Sequence, residues 1–359
     1  MNLQNAVLAA LQEPAGDTAA GASHIGNQLG LQHTGHTPGA ATFTALDVGG
    51  AHLDAVRLAQ DGSSTDGSGN PSGIAAGEDA PGRAWGEFFG GHANQANGSV
   101  PGYSAAYGGL VAGADATLGD WIAGGMFQFS ASSLDATGDD AGDHTNVSAY
   151  GLMGYGAYTA NPWYLNLSGG VVLQQYTTAR HLTSVPGITA NANGSFDGQQ
   201  YVVRAEFGYP QAVSNTATVT PLASLTASYL NQDHYTETGG AIALAVDASH
   251  NTSVKSTLGF KFDDRIKTSQ GVLVPDLKLV WAHEYDENPQ LIQARFAADP
   301  TGQTAFDSYG QTPVQDLAEL SAGVTVLRSD TLSLSVHYDL QTSHGFTSQG
   351  GIVRVEKQF

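Results

Sequence analysis

The chain contains no cysteine, which excludes both a disulfide framework and thiol chemistry. Basic residues are scarce: 13 Lys and Arg stand against 33 Asp and Glu, giving a net charge of −20. That charge argues against nucleic-acid binding, which needs a basic surface. Charged residues are 13% of the chain, about half the roughly 25% usual in soluble domains. Hydrophobic content is ordinary at 41%, so we expect much of the surface to face something other than water.

Long apolar runs are also missing. No stretch of the sequence approaches the run of about 18 apolar residues that a membrane helix needs. A membrane-spanning chain of this kind must therefore form a closed barrel, because only helices and closed barrels satisfy every backbone polar group in lipid. The segment after Met1 has neither the basic region nor the apolar region of a signal peptide. If the protein is exported, we expect this sequence to be a fragment whose natural start is not Met1.

Two regions differ in their hydrophobic period. Residues 1–82 carry short helical patterns joined by Gly, Ser, Pro and Asp. One pattern runs from Asn2 to Glu13 and another from about Thr42 to Gln60, although Gly49-Gly50 weakens the second. From residue 83 to residue 359 the period is two, as in strands with one apolar face. We predict a helical pore segment and flexible linker over 1–82 and a barrel over 83–359.

Connections between the predicted strands alternate between tight and long. We predict tight connections at Gly119–Asp120, Ala160–Pro162, Ser214–Thr216, Lys267–Gly271 and Ser329–Asp330. We predict longer polar connections at Gln95–Gly102, Asp135–His144, Arg180–Phe196, Gln232–Thr252, Asp286–Thr312 and Ser343–Thr347. Outer-membrane barrels have short periplasmic turns, longer outer loops and an even number of strands. We therefore predict an all-β, antiparallel, up-and-down barrel of about twelve strands; a soluble sandwich is the alternative, but it would not explain this alternation.

Predicted strand starts lie near residues 84, 104, 121, 145, 162, 197, 217, 253, 272, 314, 331 and 348. The last strand is the most informative, since Gly351–Phe359 reads GIVRVEKQF and ends on an aromatic residue. Val353, Val355 and Phe359 share one face, which we expect to meet lipid. A terminal aromatic on that face would fray into water in a soluble domain.

Polar residues on the opposite faces of the strands are predicted to line the lumen. They are Arg204, Glu206, Asp276, Lys278, Glu284, Glu319, His337, Asp339, Arg354 and Glu356. Aromatic girdles at the two membrane interfaces are predicted to comprise Trp121, Tyr158, Trp163 and Phe359 near tight turns, and Trp281, Tyr285, Tyr229 and Tyr176 near long connections.

Catalytic and metal-binding patterns are weak. His283-Glu284 lacks the second His of a zinc-protease helix and lies on a predicted strand. The acidic group Asp135, Asp139, Asp140 and Asp143 could attract divalent cations, but it lacks the spacing of an EF-hand loop, and a solvated outer loop is the better interpretation. We expect no catalytic site, no cofactor and no bound metal.

Several phrases, taken in order, resemble the translocator domain of the autotransporters of type V secretion. Arg83–Gly91 resembles the opening strand of that family and Tyr107–Leu118 its second strand. Tyr235–Gly239 resembles the loop after the seventh strand and Leu279–Tyr285 the ninth strand. Gly350–Phe359 resembles the closing strand with its terminal aromatic. The resemblance covers essentially the whole chain.

The resemblance implies a barrel in the outer membrane of a Gram-negative bacterium, preceded by a helix in or below the pore, that brings an N-terminal passenger to the cell surface. It implies that Val353, Val355 and Phe359 form an assembly signal for the barrel-assembly machinery, although Phe359 could also anchor at the interface. Expected partners are outer-membrane lipid and lipopolysaccharide, periplasmic chaperones and the passenger, which is absent here. We expect a monomer, because twelve strands of one chain close a barrel.

Three alternatives remain open from the sequence. Some members cut their passenger free inside the barrel with a paired Asn, but Asn2 and Asn5 do not form that pair. A solute channel is possible, although N-terminal helices would fill its lumen. An outer-membrane enzyme would need convergent His, Asp or Ser groups on the outer loops, and we cannot assemble such a set.

Overall fold

The computed structural model describes residues 46–54, 56–57, 82–98, 100–160, 162–182, 190–269, 271–329 and 332–358. The strands are β1 (Arg83–Gln95), β2 (Tyr103–Leu118), β3 (Trp121–Ala136), β4 (His144–Ala160), β5 (Trp163–Leu182), β6 (Ala190–Gly208), β7 (Gln211–Ala212), β8 (Ala217–Gln232), β9 (Tyr235–Thr236), β10 (Leu244–Val246), β11 (Ser249–Asp264), β12 (Ile266–Thr268), β13 (Gly271–Glu284), β14 (Leu291–Phe296), β15 (Phe306–Tyr309), β16 (Asp316–Ser329), β17 (Leu332–Ser343) and β18 (Phe346–Gln358). A short 3₁₀ helix spans Gly138–Asp140.

Twelve of these strands close into an antiparallel barrel, which confirms the predicted fold. Their order around the barrel is β1, β2, β3, β4, β5, β6, β8, β11, β13, β16, β17 and β18. The first and last strands meet at a seam, where Arg83 pairs with Gln358 and Gln95 pairs with Phe346. Every barrel strand therefore has two neighbours, and no backbone edge is left for lipid or for another chain.

Two predicted long connections are wrong. The segment Ser343–Thr347 is a hairpin in which Ser343 pairs with Phe346 and Gly345 takes a φ of +77°, a conformation that favours glycine. The segment Arg180–Phe196 is largely strand, because β5 continues to Leu182 and β6 already begins at Ala190. There the alternation is inverted: Ala192 and Phe196 are buried while Asn191 is exposed. The expected pattern of apolar side chains outward therefore does not hold at this end of the barrel.

The two longest connections were predicted to be polar, and this is also wrong in part. They contain β9, β10, β14 and β15, which form a separate four-stranded sheet. We call this sheet and the segments that connect its strands, residues 233–248 and 285–315, the outer cap. Its apolar side chains pack with inward-facing residues of β4, β5 and β6 in one cluster: Val147, Tyr176, Ala192, Phe196, Tyr235, Ile242, Leu244, Val246, Ile292, Ala294 and Phe296. Tyr176 is therefore a core residue, only 1% exposed, and its predicted place in a girdle is wrong.

A helix, α1, covers residues 46–54 and 56–57. It falls inside the pattern predicted over 42–60, and it continues through Gly49-Gly50. A Cβ on Gly49 would lie 3.0 Å from the Met126 Cε, so the glycine permits a close approach between helix and barrel wall. Within the described part of the chain, no helix is long and apolar enough to cross a membrane. The pattern predicted over Asn2–Glu13 lies outside the described residues.

Candidate functional site: a helix in the barrel lumen

One face of α1 packs against an apolar part of the inner barrel wall. Leu46, Val48, Leu53 and Val56 are at most 1% exposed. They belong to a cluster whose wall residues come mainly from β18 and β1 to β6, namely Trp85, Phe89, Val111, Ile122, Met126, Ala149, Met153, Tyr155, Ala157, Val172, Val202 and Ile352. The sequence predicted a polar lining of the lumen, but this part of the inner wall is apolar. Burial of this face holds the helix in the barrel.

The opposite face of α1 is charged and meets the basic part of the wall. Asp47 pairs with Arg204, and Asp54 pairs with Arg57 one turn along the helix. The Lys261 ammonium also donates to the Asp54 Oδ2 at 3.0 Å. Arg57 is the last described residue of α1. The contacts of Asp47 with Arg204 of β6 and of Asp54 with Lys261 of β11 fix both the rotation and the depth of the helix, because each joins a helix residue to a strand.

Arg57 anchors the end of α1 to the beginning of β5. Its Nη1 donates to the Asn166 Oδ1 at 2.7 Å, and its guanidinium lies 3.6 Å from the centroid of the Tyr164 ring. Both residues follow the tight connection before β5. A cation over a partly desolvated aromatic ring contributes on the order of 1–2 kcal/mol. The helix therefore runs from the interior of the lumen towards the end of the barrel with tight connections.

His52 is the most enclosed polar residue of α1, with no exposed surface. Its Nε2 lies 2.6 Å from the Asp115 Oδ2, and its Nδ1 lies 3.2 Å from the Glu356 Oε2. The imidazole stacks on the Trp85 indole, with ring centroids 4.6 Å apart and an angle of 18°. The Tyr155 ring meets it edge-on at 5.9 Å. Four strands, β1, β2, β4 and β18, thus contribute to one pocket for a single helix side chain.

Asp115 organises this pocket by accepting hydrogen bonds from several sides. The Arg83 Nε donates to its Oδ1 at 2.6 Å and the Tyr155 hydroxyl to its Oδ2 at 2.8 Å. The Trp85 indole in turn donates to the Tyr155 oxygen at 2.7 Å. A carboxylate so fully paired keeps its charge inside the barrel without the large desolvation penalty of an isolated ion.

The predicted lumen residues lie along the inner wall, but they are not one cluster. Glu206 lies 3.6 Å from the Arg204 guanidinium and 3.9 Å from the Lys278 ammonium. His337 and Asp276 form a separate pair at 3.1 Å. Glu284 lies at the far end, where it accepts from the backbone N–H of Val254 at 2.9 Å. The remaining predicted residues, Glu319, Asp339, Arg354 and Glu356, are buried or half-buried.

An open cavity of about 320 Å³ remains beside α1. Asp47, Gly50, Ala51 and Asp54 form its helix side. Its wall contains nine of the ten predicted lumen residues and also residues that the sequence did not single out, notably Lys255, Lys261 and Glu87. Among the described residues, α1 therefore occupies one side of the lumen and this cavity lies on the other.

Several functional residues were missed from the sequence. Asp115, Arg83, Trp85 and Tyr155 occupy inward positions of their strands, so strand parity could have placed them in the lumen. His52 gave no such signal. It lies on a helix and meets Asp115 across a sequence separation of 63 residues.

The predicted girdle residues at the tight-turn end are in mutual contact. Trp121 lies 5.1 Å from Tyr158, and Tyr158 lies 5.5 Å from Trp163, measured between ring centroids. At the other end Trp281 and Tyr285 are 50% and 58% exposed on the outer face of the barrel. The ring of His283 lies between them, 5.6 Å and 4.8 Å away.

The acidic segment between β3 and β4 is more ordered than a solvated loop. Asp140 and Asp143 are buried, and the Asp143 Oδ1 accepts from the His181 N–H at 2.6 Å. Burial raises the pKa of Asp143 to about 7. Since this is above the ordinary value of 3.8, the ionised carboxyl opposes folding fully above pH 7, and this cost decreases as the pH falls from 7 towards 3.8. Among the described residues, no three His, Cys, Asp or Glu side chains converge as a metal site.

Comparisons with known proteins identify this arrangement. The family model of the autotransporter beta-domain matches residues 84–339. The translocator domain of the autotransporter NalP from Neisseria meningitidis is similar in fold, with a TM-score of 0.62, 15% identity, and coverage of 89% of this chain and 97% of that chain. The beta domain of the Bordetella autotransporter BrkA has a TM-score of 0.57 and 18% identity, covering 78% and 100% of the two chains.

A curated relative is also detected in sequence. Outer membrane protein A of Rickettsia rickettsii is 25% identical over 306 residues, which are 81% of this chain and 13% of that protein. The chain therefore spans only a small part of that relative's length.

Proposed function

Because the chain belongs to the autotransporter beta-domain family, we propose that its barrel brings a passenger joined to its own N-terminal side to the cell surface and anchors it there. The domain lies in the outer membrane of a Gram-negative bacterium and is a translocator of type V secretion. The observation that carries the proposal is α1, a segment upstream of the barrel that is seated in the lumen by Asp47, His52 and Arg57.

We propose the division of the chain into 1–82, a pore segment and linker, and 83–359, the barrel. It is supported by the start of β1 at Arg83 and by the start of the family match at residue 84. Tight connections face the periplasm in such barrels and long ones the outside. On that assignment Arg57, the last described residue of α1, lies towards the periplasmic side, which is also where β1 begins.

The test is surface display. A signal peptide and an epitope are placed upstream of Leu3, the chain is produced in a Gram-negative host, and intact cells are labelled with antibody. We expect labelling that external protease removes. The matched control is the same fusion in which the barrel carries Val353→Arg, a substitution expected to lower the yield of inserted barrel. An inserted barrel whose epitope stays in the periplasm would contradict the proposal and would favour a channel.

Translocator domains of this family are generally not catalytic, and we propose that this domain is not an enzyme. The His52–Asp115 pair is the arrangement most similar to a catalytic dyad, and its remaining neighbours are Trp85, Tyr155 and Glu356. None of these is a serine or cysteine nucleophile. The pair serves to seat α1.

We propose that Val353, Val355 and Phe359 are read by the barrel-assembly machinery, with periplasmic chaperones upstream of it. Val353 and Val355 are 43% and 48% exposed on the outer face of β18, where a partner can reach them. Phe359 lies outside the described residues. Outer-membrane lipid and lipopolysaccharide would cover the same face after insertion.

Two adjacent substitutions on β18 test the assignment of its faces. Val353→Arg should lower the yield of folded barrel in the membrane, since Arg on the lipid face costs about 2–4 kcal/mol at the midplane. Arg354→Leu should lower that yield less, because Arg354 is 3% exposed and faces the lumen, so its replacement places no charge in lipid. The measurement is heat-modifiable electrophoretic mobility of outer-membrane fractions. Equal yields for the two variants would refute the assignment.

A further inference from the structure

Three inward side chains at the seam of the barrel carry polar atoms without a hydrogen-bond partner. Glu87 of β1 lies directly opposite Arg354 of β18, and Arg354 lies opposite Ser335 of β17. They are 1%, 3% and 1% exposed. Five of their side-chain atoms have no hydrogen-bond partner among the described residues. They are the two Glu87 carboxylate oxygens, the Arg354 Nε and Nη1, and the Ser335 Oγ. We call these three residues the seam row.

Other buried residues, among them Thr178 and Asp263, also carry a single atom without a partner in the described part of the chain, whereas the seam row places three such residues side by side. Paired groups are found elsewhere in the lumen. The Ser224 and Thr257 hydroxyls, on β8 and β11, are hydrogen-bonded to each other at 2.6 Å. Asp115 accepts from Arg83 and Tyr155. Buried polar groups are ordinarily paired, because an unpaired one has lost its water without compensation. Three neighbouring unsatisfied residues therefore point to a ligand.

The chemistry of the seam row identifies that ligand. Glu87 offers acceptors, Arg354 offers donors, and neighbouring strands place them about 4.8 Å apart. A simple cation or anion would satisfy only one of the two. A residue of an extended polypeptide directs its N–H and its C=O to the same side, as it does in a hydrogen-bonded strand pair. Its N–H can donate to Glu87 while its C=O accepts from Arg354.

We propose that the seam row binds the backbone of an extended polypeptide segment that passes through the lumen beside α1. This inference rests on the proposed secretion function and names the part of the wall along which the passenger moves. Binding through backbone groups is independent of side-chain sequence, as transport of a whole passenger requires.

The position of the cavity agrees with this route. Glu87 and Arg354 line the open space beside α1, which continues outward to Tyr103, Leu317 and Phe346 on β2, β16 and β18. The apolar cluster of the outer cap lies against β4, β5 and β6. The segment after β15 borders the same space through Pro313 and Val314, and the Gln311 Nε2 donates to the Pro101 C=O at 2.6 Å. The seam row thus lies deeper in the lumen, between α1 and the outer end of the barrel.

Crosslinking in cells tests the contact. A photoreactive p-benzoylphenylalanine replaces Ser335 in a full chain that carries an epitope-tagged passenger, and cells are irradiated during secretion. The control places it at Ser224, an equally enclosed lumen residue whose hydroxyl is already paired. We expect several-fold more barrel–passenger adduct from position 335. Equal adduct from both positions would overturn the proposal.

A second variant tests the energetics without a bulky probe. Glu87→Gln combined with Arg354→Gln removes both charges together, so neither is left alone in the lumen. We expect passenger display per folded barrel to fall several-fold, while Ser224→Ala leaves it unchanged. Normal display by the double variant would mean that the row binds only water. A wild-type barrel that displays no passenger would instead refute the proposed function.

Discussion

Arg180→Met is expected to release the outer cap from the barrel while the barrel itself stays folded. Arg180 of β5 binds Glu237 of the cap through two parallel hydrogen bonds, from Nε to Oε1 at 2.7 Å and from Nη2 to Oε2 at 2.5 Å. Both side chains are at most 4% exposed. The same pair organises the cap internally, because the Leu244 N–H donates to the Glu237 Oε2 at 2.9 Å and the Arg180 Nη2 donates to the Ile242 C=O at 3.3 Å.

The effect should be large because the substitution leaves Glu237 charged and buried without its cation. Breaking a buried ion pair from one side costs about 3–5 kcal/mol. The stacked rings of Tyr176, Phe196 and Tyr235, with centroids 4.4 Å apart in each pair, hold the cap at the same place, but they cannot compensate a buried charge. Replacing both Arg180 and Glu237 by Met removes the charges together and should restore most of the stability.

The measurement is cleavage of the segments 233–248 and 285–315 by protease added to intact cells. We expect fast cleavage in Arg180→Met and slow cleavage in the double variant. Arg295→Met is the control, because its pair with Asp247 spans 3.4 Å on the exposed surface and contributes at most about 1 kcal/mol. Cleavage of Arg180→Met at the wild-type rate would show that the apolar cluster alone fixes the cap.

The cap also shows where sequence-based prediction stopped. Within the membrane the solvent dictates which face of a strand is apolar, so the alternation of Tyr201, Val203 and Phe207 with Gln200 and Glu206 was sufficient to predict a barrel strand. Beyond the membrane both faces meet water or protein, and that rule is lost. The alternation of Ile242, Leu244 and Val246 was visible in the sequence, but it spans only five residues and lies among Gly and Asp.

The sequence predicted which residues face the lumen, but not how they pair there. Strand parity assigns residues such as Arg354 and Glu356 to the inside, but it does not say which of them meet across the barrel. That depends on the stagger of twelve strands and on the rotation of α1. Gly49-Gly50 appeared to weaken the helix, whereas Gly49 is what lets the helix approach Met126.

His52→Ala is expected to loosen α1 and to open the pore. The His52 imidazole is fully enclosed, and it contacts Asp115, Glu356 and Trp85 in the same pocket. Removing it deletes a buried charge-assisted hydrogen bond, typically about 1.5–3 kcal/mol, and leaves a cavity against the Trp85 indole. A loss of about 3 kcal/mol shifts the equilibrium between seated and unseated helix by roughly 100-fold.

The measurement is single-channel conductance of the refolded chain in planar bilayers. Wild type should show small conductance through the cavity beside α1, with rare openings to a larger level. His52→Ala should occupy the larger level for most of the recording. His250→Ala is the matched control, since His250 is exposed at the outer end and meets only the ring of Tyr229 among the described aromatic contacts.

Asp115→Asn provides an independent approach to the same pocket. It keeps the size of the side chain but removes the charge that faces both His52 and Arg83. We expect an increase in open time in the same direction as for His52→Ala, and no further increase when the two substitutions are combined, because both act through one contact. If both variants fold and their conductance matches wild type, then the apolar face of α1 and the pairs formed by Asp47, Asp54 and Arg57 hold the helix without His52.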